Sequence, residues 1–291
     1  MVKTLLYSFF LVALIAGCTK DDLTPSYLKI NQFELITNES TQGPNSHGIT
    51  DAWVYMDGIS LGVHELPCVI PVLDEGTHEF IIFAGIKNNG ISETRTRYPF
   101  YETFNISAEL VKNDTVEFSP VTSYKNNVAF PFLEDFEDAG ISLIKGPTSD
   151  TNMVFIDKVD YPEIVTYGNK CGGLFLTAED SIYTGSSQSN LDLPKGEQIY
   201  LEIDYRNNNS LAMGVIATYY DGTTDEHTPL LIMNPQDEGD EEWKKIYIEL
   251  SEDVGVEINA TSFEFYFLGV LDGDNSLAKI YIDNIKVVHF Q

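Results

Sequence analysis

Apolar and polar residues alternate with a period of two along most of the chain, the pattern of strands with one buried face. Residues 28–35 and 52–56 alternate in this way, separated by a loop rich in Asn, Ser, Gly and Pro over 38–48. Asp57-Gly58 follows between two β-rich runs. This pair predicts a two-residue hairpin, because both central positions of a type I′ turn need positive φ. Residues 67–73, 78–86, 101–106 and 115–119 bring the total to about seven short strands, a small antiparallel sandwich over 28–122. Pro120 and the polar Lys125-Asn126-Asn127 break the pattern, so 123–129 reads as a linker. Beyond it the strands lengthen: 173–177, 198–206, 212–220, 243–250, 262–271 and 279–289, with turn residues at Leu193-Pro194-Lys195-Gly196, Asn207-Asn208-Asn209 and Asp221-Gly222. No amphipathic helix of three turns is expected. The predicted fold is all-β, two β-sandwich domains, the second (130–291) a larger jelly roll.

Composition narrows the function. A chain of 291 residues fits about two domains, and 43% hydrophobic with 12% aromatic residues excludes a disordered chain. With 17 basic against 45 acidic residues the formal charge is −28. That charge repels phosphate backbones and anionic headgroups, so no nucleic-acid partner and no electrostatic membrane surface is expected. Cys68 and Cys171 fall in different domains; a disulfide between them is allowed by arithmetic, but two separately buried thiols fit the pattern better. No CxxC, HExxH or GxSxG occurs, and the five histidines lack metal-ligand spacing. Among so many acids no carboxylate pair is singled out for glycoside chemistry, and catalysis is not expected.

At the start, an apolar run over 5–15 leads to Ala16-Gly17-Cys18 and then Thr19-Lys20-Asp21-Asp22. The run is too short to span a bilayer, and the small residues admit a peptidase before Cys18. The segment resembles the lipobox of bacterial lipoproteins. That resemblance implies removal of 1–17, lipidation of Cys18, a tether over 18–27 and a membrane partner held through the lipid anchor. Lys20-Asp21-Asp22 resembles the surface-export signal of Bacteroidetes lipoproteins and also suits a plain solvated tether. The expected location is the cell envelope, at the outer membrane and exposed on its surface.

Trp53-Val54-Tyr55-Met56-Asp57-Gly58, with Leu61-Gly62, Pro67 and Leu73-Asp74-Glu75-Gly76-Thr77-His78, resembles the Ig-like or PEGA-like β modules of bacterial envelope proteins. It implies a spacer or interaction module. Glu134-Asp135-Phe136-Glu137, Leu191-Asp192-Leu193-Pro194, Tyr200 to Tyr205 and Ile280-Tyr281-Ile282-Asp283-Asn284-Ile285 resemble galactose-binding-like jelly rolls, a group that includes carbohydrate-binding modules. The resemblance implies a structural calcium (Ca2+) where the first and last strands meet, held by Asp135, Glu137 and Asp283, with Glu134 and Asp138 as neighbouring carboxylates. Calcium needs six to eight oxygens. In so acidic a chain, carboxylates also flank strands without any ion. Asp272-Gly273-Asp274-Asn275 reads as a hairpin turn.

A second candidate is a sheet face. Over 198–206, Ile199, Leu201, Ile203 and Tyr205 share one side, and Tyr200, Glu202, Asp204 and Arg206 the other. Tyr247 and Glu249 point outward on the next strand, as do Glu264 and Tyr266 opposite the inward Phe263, Phe265 and Phe267. Tyr200, Arg206, Tyr247 and Tyr266 would then form a tyrosine and carboxylate surface suited to stacking sugar rings and bonding their hydroxyls. β-propensity alone also accounts for exposed strand tyrosines. The expectation is a non-catalytic envelope lipoprotein whose jelly roll binds polysaccharide, other glycan or another surface ligand. The alternative is a structural or adhesive component that binds other envelope proteins and no sugar.

Overall fold

A computed structural model describes residues 24–291 except 189, 238 and 274; Cys18 and the leader lie outside the described residues. The first domain runs β1 (Ser26–Ile30), β2 (Glu34–Ile36), α1 (Glu39–Gln42), β3 (Asp51–Met56), β4 (Ile59–Glu65), β5 (Cys68–Val72), β6 (Gly76–Lys87), β7 (Arg95–Arg97), β8 (Phe104–Leu110), β9 (Thr115–Phe118) and β10 (Val121–Ser123). A five-stranded sheet, β4-β3-β6-β7 with β8 also on β6, faces the three-stranded β5-β1-β9 and the pair β10-β2. Asp57 (φ 49°) and Gly58 (φ 79°) make the left-handed hairpin turn that their sequence demands.

The second domain runs β11 (Val128–Glu134), β12 (Leu143–Lys145), β13 (Val154–Asp157), β14 (Lys170–Leu176), β15 (Ile182–Ser187), β16 (Ile199–Asn207), β17 (Leu211–Tyr219), β18 (Thr224–Glu226), β19 (Leu231–Met233), β20 (Lys244–Glu249), α2 (Ser251–Val256), β21 (Ala260–Val270) and β22 (Ala278–Phe290). Two six-stranded sheets result: β13-β14-β22-β16-β20 with β11 on β22, and β12-β15-β21-β17-β18 with β19 on β17. The fold is all-β, and no helix among the described residues is long and apolar enough to cross a membrane. Leu174, Leu201, Ile203, Met213, Val215, Phe263, Phe265, Phe267 and Ile282 fill the space between the sheets. The three phenylalanines of β21 point inward, as their spacing requires. Cys68 and Cys171 are both free, and burial pushes the Cys171 thiol up to about 12.

The outer face of the sheet holding β16 departs from expectation. Tyr200, Glu202, Asp204 and Tyr247 are buried instead of solvent-facing, because the first domain lies on them. Tyr98 packs edge-on to Tyr200 at 5.3 Å and tilted to Tyr247 at 4.7 Å, and Phe100 meets Phe290 at 4.8 Å. Each aromatic pair adds about 0.5–1.5 kcal/mol beyond its buried area. The carboxylate of Glu202 accepts hydrogen bonds from the Tyr98 hydroxyl at 2.7 Å and the Tyr124 hydroxyl at 2.8 Å, and pairs with buried Lys245 at 3.4 Å. Asn88 donates to Glu249 at 2.7 Å, and Gly48 N–H to the Tyr247 hydroxyl at 2.9 Å. Loop 43–48 also covers Lys286, whose ammonium reaches the Pro44 carbonyl at 3.4 Å. Burial, with Lys245 nearby, lowers the Lys286 amine to about 8.

Candidate functional site

Beyond the covered area, the same sheet face is open at one end. There β22 alternates, sending Ile280 and Ile282 into the core and Lys279 and Tyr281 outward. Phe175 of β14 lies opposite Lys279, and Arg206 of β16 lies opposite Tyr281. The Phe175 and Tyr281 rings meet edge to face at 6.0 Å. On the other flank of Tyr281 sits Gly173, where a Cβ would come within 2.6 Å of Ile156. Its bare backbone therefore lets Ile156 of β13 pack down and form apolar floor.

The segment after β13 makes one wall. Asp157 starts it by accepting the Val159 N–H at 2.9 Å through its side chain and the Tyr161 N–H at 2.9 Å through its backbone carbonyl. The Trp243 indole N–H donates to the Ile164 carbonyl at 2.7 Å and pins the segment to the other wall. Arg206 donates to the Glu163 carbonyl at 3.3 Å. Between the walls lies a groove of about 520 Å³. Phe175, Tyr281 and Tyr161 supply rings, the last 49% exposed; Arg206, Lys279, Glu163 and Glu241 supply charge. The groove combines apolar rings with a few convergent polar groups, the usual make-up of a small-molecule or oligomer site.

Of the four ligand residues expected from sequence, only Arg206 lines this groove. Tyr200 and Tyr247 are sealed under the first domain, which removes the exposed tyrosine platform. Tyr266 belongs to the opposite sheet and is 6% exposed; its ring lies over Gly214 and its hydroxyl donates to the His227 carbonyl at 2.7 Å. Tyr281 and Lys279 are absent from the residues expected from sequence, although the alternation over 278–282 marks both as outward. Tyr161, Glu163 and Glu241 sit in irregular segments where no periodicity marks them.

Asp135, Glu137 and Asp283 line a second cavity, of about 240 Å³, together with Asn284 and with Glu39 of the first domain. The Glu137 carboxylate is already engaged: it accepts the Asn169 N–H at 2.6 Å, the Asn169 side-chain amide at 2.8 Å and the Lys170 N–H at 2.9 Å. Asp135 accepts the Glu137 N–H at 3.2 Å, and Asp283 the Asn284 N–H at 2.8 Å. Asn284, at φ 51°, gives its amide to Asp204 at 2.7 Å and keeps a buried Oδ1 with no hydrogen-bond partner. Burial, with Asp204 close by, holds the Asp283 carboxyl well above the usual carboxylate range. An oxygen-only donor set with an orphaned amide oxygen fits a hard cation. Glu134 instead straps its own turn, accepting the N–H groups of Phe136 and Ser142.

Among the described residues, the trio whose ligand atoms all lie within 4.8 Å of one another is a different one: Asp225, His227 and Glu257. His227 bridges Asp253 at 3.2 Å and Glu257 at 2.9 Å.

No family model matches the chain, and no curated protein matches it. Among solved structures it is similar to the CBM22-1 xylan-binding domain of Paenibacillus barcinonensis Xyn10C, at 12% identity over 57% of this chain and 98% of that one, with a TM-score of 0.40. The tandem CBM22-1-CBM22-2 domain of the same protein matches at 11% identity over 82% and 73%, TM-score 0.38. A non-crystalline cellulose specific module, CBM28, matches at 12% identity over 53% and 92%, TM-score 0.37. Likeness at this level decides neither fold nor function.

Proposed function

We propose that the second domain is a non-catalytic glycan-binding module and that its site is the groove built on β13, β14, β22 and β16. The juxtaposition that supports this reading is Phe175, Tyr281 and Tyr161 with Arg206, Lys279, Glu163 and Glu241 in one open groove. Sugar rings present C–H faces that pack on aromatic rings, and hydroxyls that bond to guanidinium, ammonium and carboxylate groups. An open groove also lets a chain run past its ends.

The first domain would then cover the rest of the sheet and fix the groove's orientation, while lipid on Cys18 holds the molecule to the envelope. For the second cavity we propose a structural calcium bound by Asp135, Asp283 and the free Asn284 Oδ1, with Glu39 as a donor from the first domain and Glu137 ordering the 168–170 segment. Calcium would tie the ends of the jelly roll to its neighbour.

The test is retention of residues 19–291 on a panel of plant, host and microbial glycans. Wild type should be retained on one class, with Tyr281→Ala lost and Tyr266→Ala retained. No retention on any class by wild type would remove the glycan reading. Chelation should lower the melting temperature, and an unchanged melting temperature would remove the calcium.

A further inference from the structure

The four charged groups of the groove are not mixed at random. Arg206 and Lys279 stand on the sheet that forms the floor, whereas Glu163 and Glu241 stand on the segments that form the rim. Arg206 is the cross-strand neighbour of Tyr281, and Lys279 lies two residues from Tyr281 on the same strand. The side chains of Arg206, Tyr281 and Lys279 therefore leave one face of the sheet, with neighbouring Cβ atoms about 5–7 Å apart. The ion pairs formed among the described residues include neither cation. Arg206 uses one contact, the Glu163 carbonyl, of a fork with five N–H donors. In a chain of formal charge −28, two cations facing an aromatic floor call for an anion there.

We infer that the glycan taken by this groove carries uronic acid residues, and that a sugar carboxylate sits between Arg206 and Lys279 against Tyr281. This rests on the glycan reading above. The planar guanidinium matches a carboxylate in two parallel bonds, and such charge-assisted bonds are roughly twice as strong as neutral ones. The acidic rim and the overall charge disfavour a continuous polyanion, whose neighbouring carboxylates would meet Glu163 and Glu241. The fitting ligand is a largely neutral backbone bearing scattered uronates, its hydroxyls bonding to the rim.

The experiment compares uronate-substituted polysaccharides, glucuronoxylan and gum arabic, with the same polymers after chemical reduction of their carboxyl groups, using residues 19–291 in chelator-free buffer. Wild type should bind one native polymer about tenfold more tightly than its reduced form. Arg206→Gln and Lys279→Gln should bring native and reduced forms within about twofold of each other. Equal binding of native and reduced polymers by wild type overturns the uronate assignment and leaves the glycan reading standing. A preference that survives both substitutions overturns it too, since the carboxylate would then be read elsewhere. If wild type binds another glycan of the panel but neither of these polymers, the uronate assignment falls alone; if it binds none, both readings fall. Tighter binding to fully charged polygalacturonate would overturn the scattered-uronate form.

Discussion

Gly214 and Tyr266 face each other across β17 and β21, and the tyrosine ring lies where any side chain on residue 214 would go. A Cβ there would come within 2.5 Å of the ring. Gly214→Ala should therefore displace Tyr266, break its bond to the His227 carbonyl and cost about 1–3 kcal/mol in urea unfolding. His227 gives a pH signature of its own. Burial alone would lower its pKa, but hydrogen bonds and charge from Glu257 and Asp253 outweigh burial and raise it above the ordinary 6.5. A raised histidine contributes stability that is complete below 6.5 and is lost as pH rises through the folded value. Melting temperature followed from pH 5 upward should show that loss in wild type, and His227→Gln should show less of it, the remainder belonging to His78, which its hydrogen bond with Asp57 also raises. An identical profile in the variant would mean that the bridge to Asp253 and Glu257 contributes nothing.

Strand β16 shows what alternation can and cannot tell. Ile199, Leu201 and Ile203 point to the core as their spacing requires, and Tyr200, Glu202 and Asp204 share the other face. Whether that face meets water depends on Tyr98, Phe100, Tyr101 and Tyr124, which lie about a hundred residues away in sequence, beyond the reach of periodicity. Strand β15 went unread for another reason. Its inward positions are Tyr183, Gly185 and Ser187, so its buried face carries little hydrophobic signal. Of the site, only Arg206 is read from alternation; Lys279 and Tyr281 alternate as plainly over 278–282 but are passed over, and Tyr161 and Glu241 depend on how irregular segments fold back. Glu202 is where β16 couples to the first domain. Glu202→Ala leaves Lys245 with Asp204 alone and removes the acceptor of two buried tyrosine hydroxyls, so it should cost about 3–5 kcal/mol. A loss below 1 kcal/mol in denaturant unfolding would mean that this interface carries little of the stability.

At the scale of the molecule, one hydrophobic cluster runs from Leu28 and Phe80 in the first domain to Tyr200, Tyr247 and Val288 in the second. A spacer swinging on a linker does not bury such a surface; the two sandwiches are packed as one body. Residues 19–291 should unfold in a single calorimetric transition with calorimetric and van't Hoff enthalpies equal. Residues 124–291 alone would expose Tyr200, Tyr247 and Phe290 and should aggregate or bind a hydrophobic dye. Two separated transitions would contradict the shared core. The same packing leaves the Tyr281 end of the sheet open to ligand, and hydrogen exchange in the presence of a bound oligosaccharide addresses that end directly. Protection is expected over residues 158–168 and 239–243 and the strands beneath them, with residues 212–218 and 262–268 of the opposite sheet unchanged. Protection on the opposite sheet or in the first domain, with 158–168 unaffected, would place the ligand elsewhere and rule out the groove over Tyr281.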